Sequence, residues 1–181
     1  IKTITVTDKA GEPSVFRYPA DIVEKADVVA FEITATSECI FHGAWYTAEI
    51  DEKRIRDVRI NIIMPTFKKE EFVKRNVELF EELIESDSPI ADNLTVSVID
   101  NGRTLGQEPL SSNPAIKKYD NPNYGGAGGF ARGMIEALHS ASEPTHLLVM
   151  DDDVIVSPES FERTYNLLRI VNDEYRDAFL S

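Results

Sequence analysis

The sequence predicts an α/β protein, a mostly parallel sheet flanked by helices and preceded by a small β-rich N-terminal domain. Three observations carry this reading. From Arg59 onward, short apolar runs alternate with longer amphipathic stretches, the pattern of strands joined by crossover helices. The strands in that half are apolar on successive residues, as a sheet covered on both faces requires. Before about Ala48, apolar residues alternate with polar ones at period two, the pattern of half-buried strands.

Composition bounds what such a chain can do. With 181 residues, 42% of them hydrophobic, one ordinary domain plus a small second one is expected. There is no apolar run long enough to span a bilayer and no charged-then-apolar leader. The chain starts at Ile1 rather than Met, so a piece of a longer protein is expected. Cys39 is the only cysteine, which excludes an internal disulfide and fits a reducing compartment. A net charge of −13 argues against nucleic acid as a partner, because phosphate neutralisation needs a basic face. Any anionic ligand would need a metal, backbone N–H groups or a few placed cations.

The elements follow in order. In the first module Ile4 and Val6 alternate with threonines, Val15 and Phe16 follow the Gly11-Glu12-Pro13 turn, and Val29, Phe31 and Ile33 alternate with Ala30 and Glu32. The module ends in Phe41-His42-Gly43-Ala44-Trp45-Tyr46, an aromatic cluster that reads as a small core or a domain-packing plug in preference to a ligand platform. Cys39 and His42 have no further Cys or His at metal-ligand spacing, so zinc is not expected there. Asp51 to Asp57 reads as a charged linker, which sets the expected domains at 1–57 and 58–181.

In the second module Ile60 to Met64 reads as a strand closed by Pro65. Glu70 to Ile84 reads as a helix with Phe72, Val73, Val77, Phe80, Leu83 and Ile84 on one face. Leu94 to Ile99 is a second strand, ended by the turn signal Asp100-Asn101-Gly102, and Ile116 to Tyr119 is a short third. A glycine-rich loop then leads to a helix from about Gly129 to His139, whose inner face would be Phe130, Met134, Ile135 and Leu138. A fourth strand, Leu147 to Met150, runs into Asp151, Asp152 and Asp153. Ser157 and Pro158 then open a last helix with Phe161, Tyr165, Leu168 and Val171 on its apolar face.

Ligands of parallel sheets bind outside the carboxyl ends of the strands. The loops expected there are Pro65-Thr66-Phe67, Asp100-Asn101-Gly102, the glycine-rich loop and the three aspartates. All the unusual residues therefore fall on one edge. Three carboxylates in a row repel one another and resist desolvation, so a cation is expected among them. An extended backbone would put Asp151 and Asp153 on one face and Asp152 on the other. Two carboxylates with diphosphate oxygens and waters are a common way to hold Mg²⁺ or Mn²⁺; the plainer alternative is exposed turn residues.

Asn123-Tyr124-Gly125-Gly126-Ala127-Gly128-Gly129-Phe130-Ala131-Arg132 is the second constellation. Its glycines let a backbone approach a ligand and leave helix N-terminal N–H groups free for anionic oxygen. Arg132 reads as a phosphate contact or a solvated helix residue, and Lys68 and Lys69 as solvated charges or phosphate cations. Gly126, Gly128 and Ala131 also match the loose dinucleotide fingerprint, but the preceding strand is short and polar and Asn121-Pro122 separates it from the glycines. An EF-hand fails because Val156 stands where its loop needs glycine and Pro158 starts a helix inside it.

From about Arg59 these residues resemble family 2 glycosyltransferases with the GT-A fold, through Pro65-Thr66-Phe67, Val98 to Gly102, Asn123 to Arg132 and Met150 to Asp153. Within that family the glycine segment followed by three aspartates looks most like galactofuranosyltransferases, which also carry an N-terminal β domain ending as Trp45-Tyr46-Thr47 does. The resemblance implies that residues 58–181 are the nucleotide-sugar-binding half of such a domain. Pro65, Thr66, Phe67, Lys69, Asp100, Asn123, Gly125, Gly126, Arg132 and Asp152 would bind the donor, with Thr66, Asp100 and Asn123 on the uridine side and Asp152 facing the sugar. Asp151 and Asp153 would hold Mn²⁺ or Mg²⁺ on the diphosphate. Lys69 stands where the family has Arg and lacks its bidentate fork.

The implied partners are a UDP-sugar donor and a glycan or lipid-linked glycan acceptor, with a homo-oligomer also admitted and no nucleic acid. The implied location is cytoplasmic, at the membrane periphery. The reaction would be an inverting displacement at the anomeric carbon, its general base expected beyond Ser181. Two alternatives stand beside it: a nucleotidyltransferase, though there the glycines normally follow the first strand, and a non-catalytic nucleotide-binding module.

Overall fold

The structure, a computed structural model, describes residues 5–6, 13–25 and 29–180. The chain divides into two compact units, Ile1–Thr47 and Ala48–Ser181.

In the first unit a single helical turn, α1 (Ala20–Val23), is the only regular element among the described residues. The expected β-rich N-terminal domain is not seen there. Val29, Phe31 and Ile33 lie in irregular backbone, and Phe31 and Ile33 are half exposed; Ile4, Gly11 and Glu12 fall outside the described residues. Alternation fixes which side chains share a face, but a strand exists only where a neighbouring backbone completes its hydrogen bonds. The aromatic cluster gathers in part. Tyr46 packs against Phe31 and Tyr18 at centroid distances of 5.7 and 6.4 Å and donates its hydroxyl to the Val29 carbonyl at 3.3 Å. Trp45 stays 80% exposed, so it plugs no core within this unit.

The second unit carries the sheet. Its elements are β1 (Ile60–Thr66), α2 (Glu70–Ile84), β2 (Leu94–Asp100), β3 (Ile116–Asp120), α3 (Gly125–Leu138), β4 (His146–Val149) and α4 (Pro158–Ile170). The four strands form one parallel sheet in the order β3-β2-β1-β4. All four carboxyl ends therefore meet at one edge, as expected. The residues expected as a linker belong to this unit: Asp51 caps a 3-10 turn at Glu52–Arg54, and the Arg56 guanidinium pairs with Asp173 at 2.7 Å beyond α4.

The two faces of the sheet are covered differently. Ile60, Ile62 and Met64 of β1, with Leu94, Val96 and Val98 of β2, pack against Val73, Val77 and Phe80 of α2 and Phe161 and Tyr165 of α4. The Phe80 and Phe161 rings meet edge to face at 5.6 Å. On α2 the expected face holds except for Phe72, which is 39% exposed, while Asn76 is buried in its place.

The other face is covered by α3, and here the expectation fails. Met134, Ile135 and Leu138 are 39%, 52% and 78% exposed, whereas Gly129, Gly133 and Ala137 are buried. These three recur every four residues and form the contact stripe. A Cβ on Gly133 would overlap Ile63 Cγ2, and one on Gly129 would lie 2.7 Å from the Pro65 Cβ. The helix sits too close to β1 for side chains, so small residues win the contact over larger apolar ones. It also begins at Gly125, four residues before the expected start, so the glycines are its first turn rather than a loop.

The two kinds of glycine should separate by mutation. Gly133→Ala is expected to lower stability by about 1–3 kcal/mol through overpacking against the stiff, fully buried Ile63. Gly126→Ala, where an added Cβ meets nothing within 4 Å, should change it by less than about 1 kcal/mol or stabilise. Urea unfolding midpoints decide this; equal losses at both positions contradict the packing account.

Candidate functional site

At the carboxyl edge of the sheet lies a cavity of about 370 Å³, within the range of small-ligand sites. Its lining comes from all four expected loops: Pro65, Thr66, Phe67 and Lys69 after β1, Asn101 after β2, Asn123, Gly125, Gly126 and Phe130 around the start of α3, and Asp151 and Asp152 after β4. A smaller cavity of about 90 Å³ lies against the sheet face at Asn61, Thr95 and Ser97 and involves none of these residues.

Asp152 is the fixed point of the site. It is 8% exposed, its Oδ2 accepts a 2.7 Å hydrogen bond from the Thr66 hydroxyl, and its carbonyl accepts one of 2.7 Å from the buried Asn76 amide. Arg75 donates to the Val154 carbonyl at 2.9 Å, and the Met150 N–H donates to the Ile63 carbonyl at 3.1 Å. The segment after β4 is thus held by β1 on one side and α2 on the other. The backbone turns at Asp152 and Asp153 rather than staying extended. This changes the expected facing: Asp151 and Asp152 line the cavity, and Asp153 does not.

Asp153 instead meets Lys69, whose Nζ lies 2.5 Å from its Oδ2 and 3.9 Å from the Asp152 Oδ1. The hydrogen bond from Lys69, reinforced by its charge, holds the Asp153 carboxyl below the usual carboxylate range. Its partner effect raises the Lys69 ammonium, against the lowering pull of desolvation.

Other expected residues fall differently. Asp100 is fully buried, and its two oxygens accept from the N–H groups of Gly102 and Leu105 at 3.0 and 2.9 Å. It shapes the turn after β2 and lines no part of the cavity; the plain turn reading of Asp100-Asn101-Gly102 accounts for it. Arg132 pairs with Glu136 one turn along α3 at 2.6 Å and also lies outside the lining. Asn123 accepts from the Gly125 N–H at 3.0 Å and so shapes the entry to α3, while still lining the cavity. Gly125 has φ +74°, a left-handed conformation that favours glycine. Beyond it the first-turn N–H groups of α3 have no intrahelical acceptor and carry the positive end of the helix dipole.

Two lining residues were not expected. Asn101 is 7% exposed, accepts from the Asn121 amide at 2.7 Å, and sits where a Cβ on Gly129 would touch its Nδ2. Phe130 is expected on the sheet face of its helix, but Gly129, Gly133 and Ala137 take that face and Phe130 contributes to the cavity wall. The turn motif did contain Asn101, and nothing in its local pattern separates it from Asp100.

The chain is 28% identical over 175 residues to galactofuranosyltransferase GlfT2 of Mycolicibacterium smegmatis, a match covering 88% of this chain and 26% of that protein. It is 31% identical over 153 residues to galactofuranosyltransferase GlfT2 of Mycobacterium tuberculosis, covering 78% of this chain and 22% of that protein. The relationship is to a glycosyltransferase. The chain spans about a quarter of the length of these curated relatives, and no protein-family model matches it. No helix among the described residues is long and apolar enough to cross a membrane.

Thr66→Val is expected to cost about 1.5–3 kcal/mol, because it strands a buried carboxylate oxygen, and Thr66→Ser should recover most of the loss. Chemical denaturation checks both. The Lys69–Asp153 pair carries its own pH signature. A lowered Asp153 loses its contribution as pH falls through its folded value, and a raised Lys69 loses its contribution as pH climbs through its own. The stability difference between the wild type and Lys69→Met should then be flat from about pH 5 to 9 and shrink outside that window. A slope near neutrality would contradict the assignment.

Proposed function

We propose that this chain binds the nucleotide-sugar donor in a glycosyltransferase that moves a sugar, galactofuranose by analogy with the named relatives, from a UDP-sugar to a glycan or lipid-linked glycan acceptor. One observation carries the reading. Two carboxylates, Asp151 and Asp152, face the glycine-opened first turn of α3 across a single cavity at the carboxyl ends of a parallel sheet. A diphosphate is a ligand that suits both walls, its oxygens meeting helix N–H groups on one side and a cation held by carboxylates on the other.

The donor set fits a divalent ion shared with a ligand rather than a cage made by protein alone. Among the described residues no three His, Cys, Asp or Glu groups stand together as metal ligands. One or two carboxylates completed by phosphate oxygens and water are what Mg²⁺ accepts in nucleotide sites. Asp151 would hold the ion together with Asp152 or Asp153, and the ion would supply positive charge to the departing diphosphate. The chain's own residues do the rest. The N–H groups at Gly126 and Ala127 donate to phosphate oxygen, and Lys69 adds a mobile positive charge at the rim. Phe67 and Phe130 supply apolar surface, with Asn101 and Asn123 as polar contacts for a nucleoside. An inverting displacement also needs a general base for the acceptor hydroxyl. Since the relatives are about four times longer, that base and the acceptor site are proposed to lie in sequence outside residues 1–181.

Calorimetric titration of UDP with and without Mn²⁺ tests this. Binding should depend on the metal and weaken about 10–100-fold in Asp151→Asn. No UDP binding under either condition sinks the donor-site reading, and equal binding with and without Mn²⁺ sinks its metal component. The donor sugar is read from the product formed by the full-length protein.

A further inference from the structure

We propose that Lys69 is the resident cation of this site: its ammonium holds the carboxylates when no divalent ion is bound, and metal occupancy and the Lys69–Asp153 pair exclude each other, so that metal binding releases Lys69 towards the diphosphate. The proposal rests on the donor-site reading above and adds a coupling between its two ligands.

Placement is the first argument. The Lys69 backbone is fixed at the entrance to α2, where its carbonyl accepts from the N–H groups of Phe72 and Val73, each at 3.1 Å. Its side chain is free to move by comparison, being 40% exposed and lying across the Phe72 ring at 5.3 Å. That side chain has two destinations. Lys69 lines the cavity, yet its ammonium is drawn to Asp153, which does not.

Charge is the second argument. Three consecutive carboxylates repel one another, and the Lys69 ammonium beside Asp153 and Asp152 offsets part of that repulsion. Arg75, the other cation acting on Asp153, is tied to the Val154 carbonyl at 2.9 Å and to the Asn76 side chain. Lys69 is the cation free to leave. A divalent ion arriving among the same oxygens repels an ammonium and offers a stronger partner to each carboxylate. A lysine, a compact charge on a flexible stem, can exchange partners in this way more readily than an arginine locked in a bidentate fork.

Mn²⁺ binding without nucleotide, followed by electron paramagnetic resonance, gives the decisive readout. Lys69→Met should bind Mn²⁺ about twofold to fivefold more tightly than the wild type, the range expected for loss of one exposed competing ion pair, while Lys69→Arg should not gain affinity. In the absence of metal, UDP should bind Lys69→Met more weakly than wild type. Asp153→Asn, which frees Lys69, should bind UDP at least as tightly under the same condition. Unchanged or weaker Mn²⁺ binding in Lys69→Met, or no Mn²⁺ binding by either protein, overturns the proposal. Failure of UDP to bind any of these proteins, with or without metal, sinks the donor-site reading instead, and the Mn²⁺ comparison still decides the role of Lys69.

Discussion

The geometry of the site depends on one buried interaction, the hydrogen bond from the Thr66 hydroxyl to the Asp152 carboxylate at the end of β1. A carboxylate that is 8% exposed is unfavourable without partners. Thr66 supplies one from the strand that also carries Pro65 and Ile63 beneath α3, and Asn76 fixes the Asp152 carbonyl from the opposite layer. With the middle aspartate held from both sides, its neighbours have little choice. Asp151 is delivered to the cavity and Asp153 to Lys69 at the rim. Run-on charge in the sequence becomes three different roles because only the central member is anchored.

The opposite wall is set by backbone approach rather than by side chains. Gly129 and Gly133 let α3 descend onto Pro65 and Ile63, which brings its first turn to the same edge as the aspartates. Side chains at those positions would lift the helix and carry Gly125 and Gly126 away from Thr66. The close approach has a consequence elsewhere. Met134, Ile135 and Leu138 cannot also face the sheet, and they remain exposed on the flank of the helix. The glycines therefore do two jobs that the sequence merges into one motif. The first pair opens space at the ligand edge, and the later pair closes space at the sheet.

That merging explains what could and could not be read from the residues alone. Strands β1 and β2 were legible because a covered parallel strand is an unbroken apolar run, and α2 was legible to its ends because its period is clean. The parallel topology then fixed which loops meet, so most of the cavity lining followed: Thr66, Lys69, Asn123, Gly125 and Asp151 needed only to lie after the right strands. Contact by absence was not legible. A stripe of Gly129, Gly133 and Ala137 carries little hydrophobic signal, so the larger residues beside it were given the inner face. Nor does a pattern distinguish a carboxylate aimed at a ligand from one spent on its own turn, which is why Asp100 was read as a contact and Asn101 beside it was not. In the N-terminal unit alternation was visible, but pairing between distant segments is not encoded locally, and none is present among the described residues.

On the proposed reading a chain with a net charge of −13 presents a site for an anion. Long-range field works against it, so attraction must be local and arranged at short distance. Helix N–H groups provide a fixed part that no ligand can displace. Lys69 provides a movable part, and in the structure its charge is already engaged by carboxylates. A diphosphate arriving alone would have to compete with Asp153 for that ammonium while facing Asp151 and Asp152 across the cavity. A divalent ion would, on the proposed reading, reverse both disadvantages, turning the carboxylate wall into an attractive one and making the lysine available. On the proposed reading the acidity of the site is therefore what makes anion binding conditional. The aspartates oppose the diphosphate until the cation that they are suited to hold is in place.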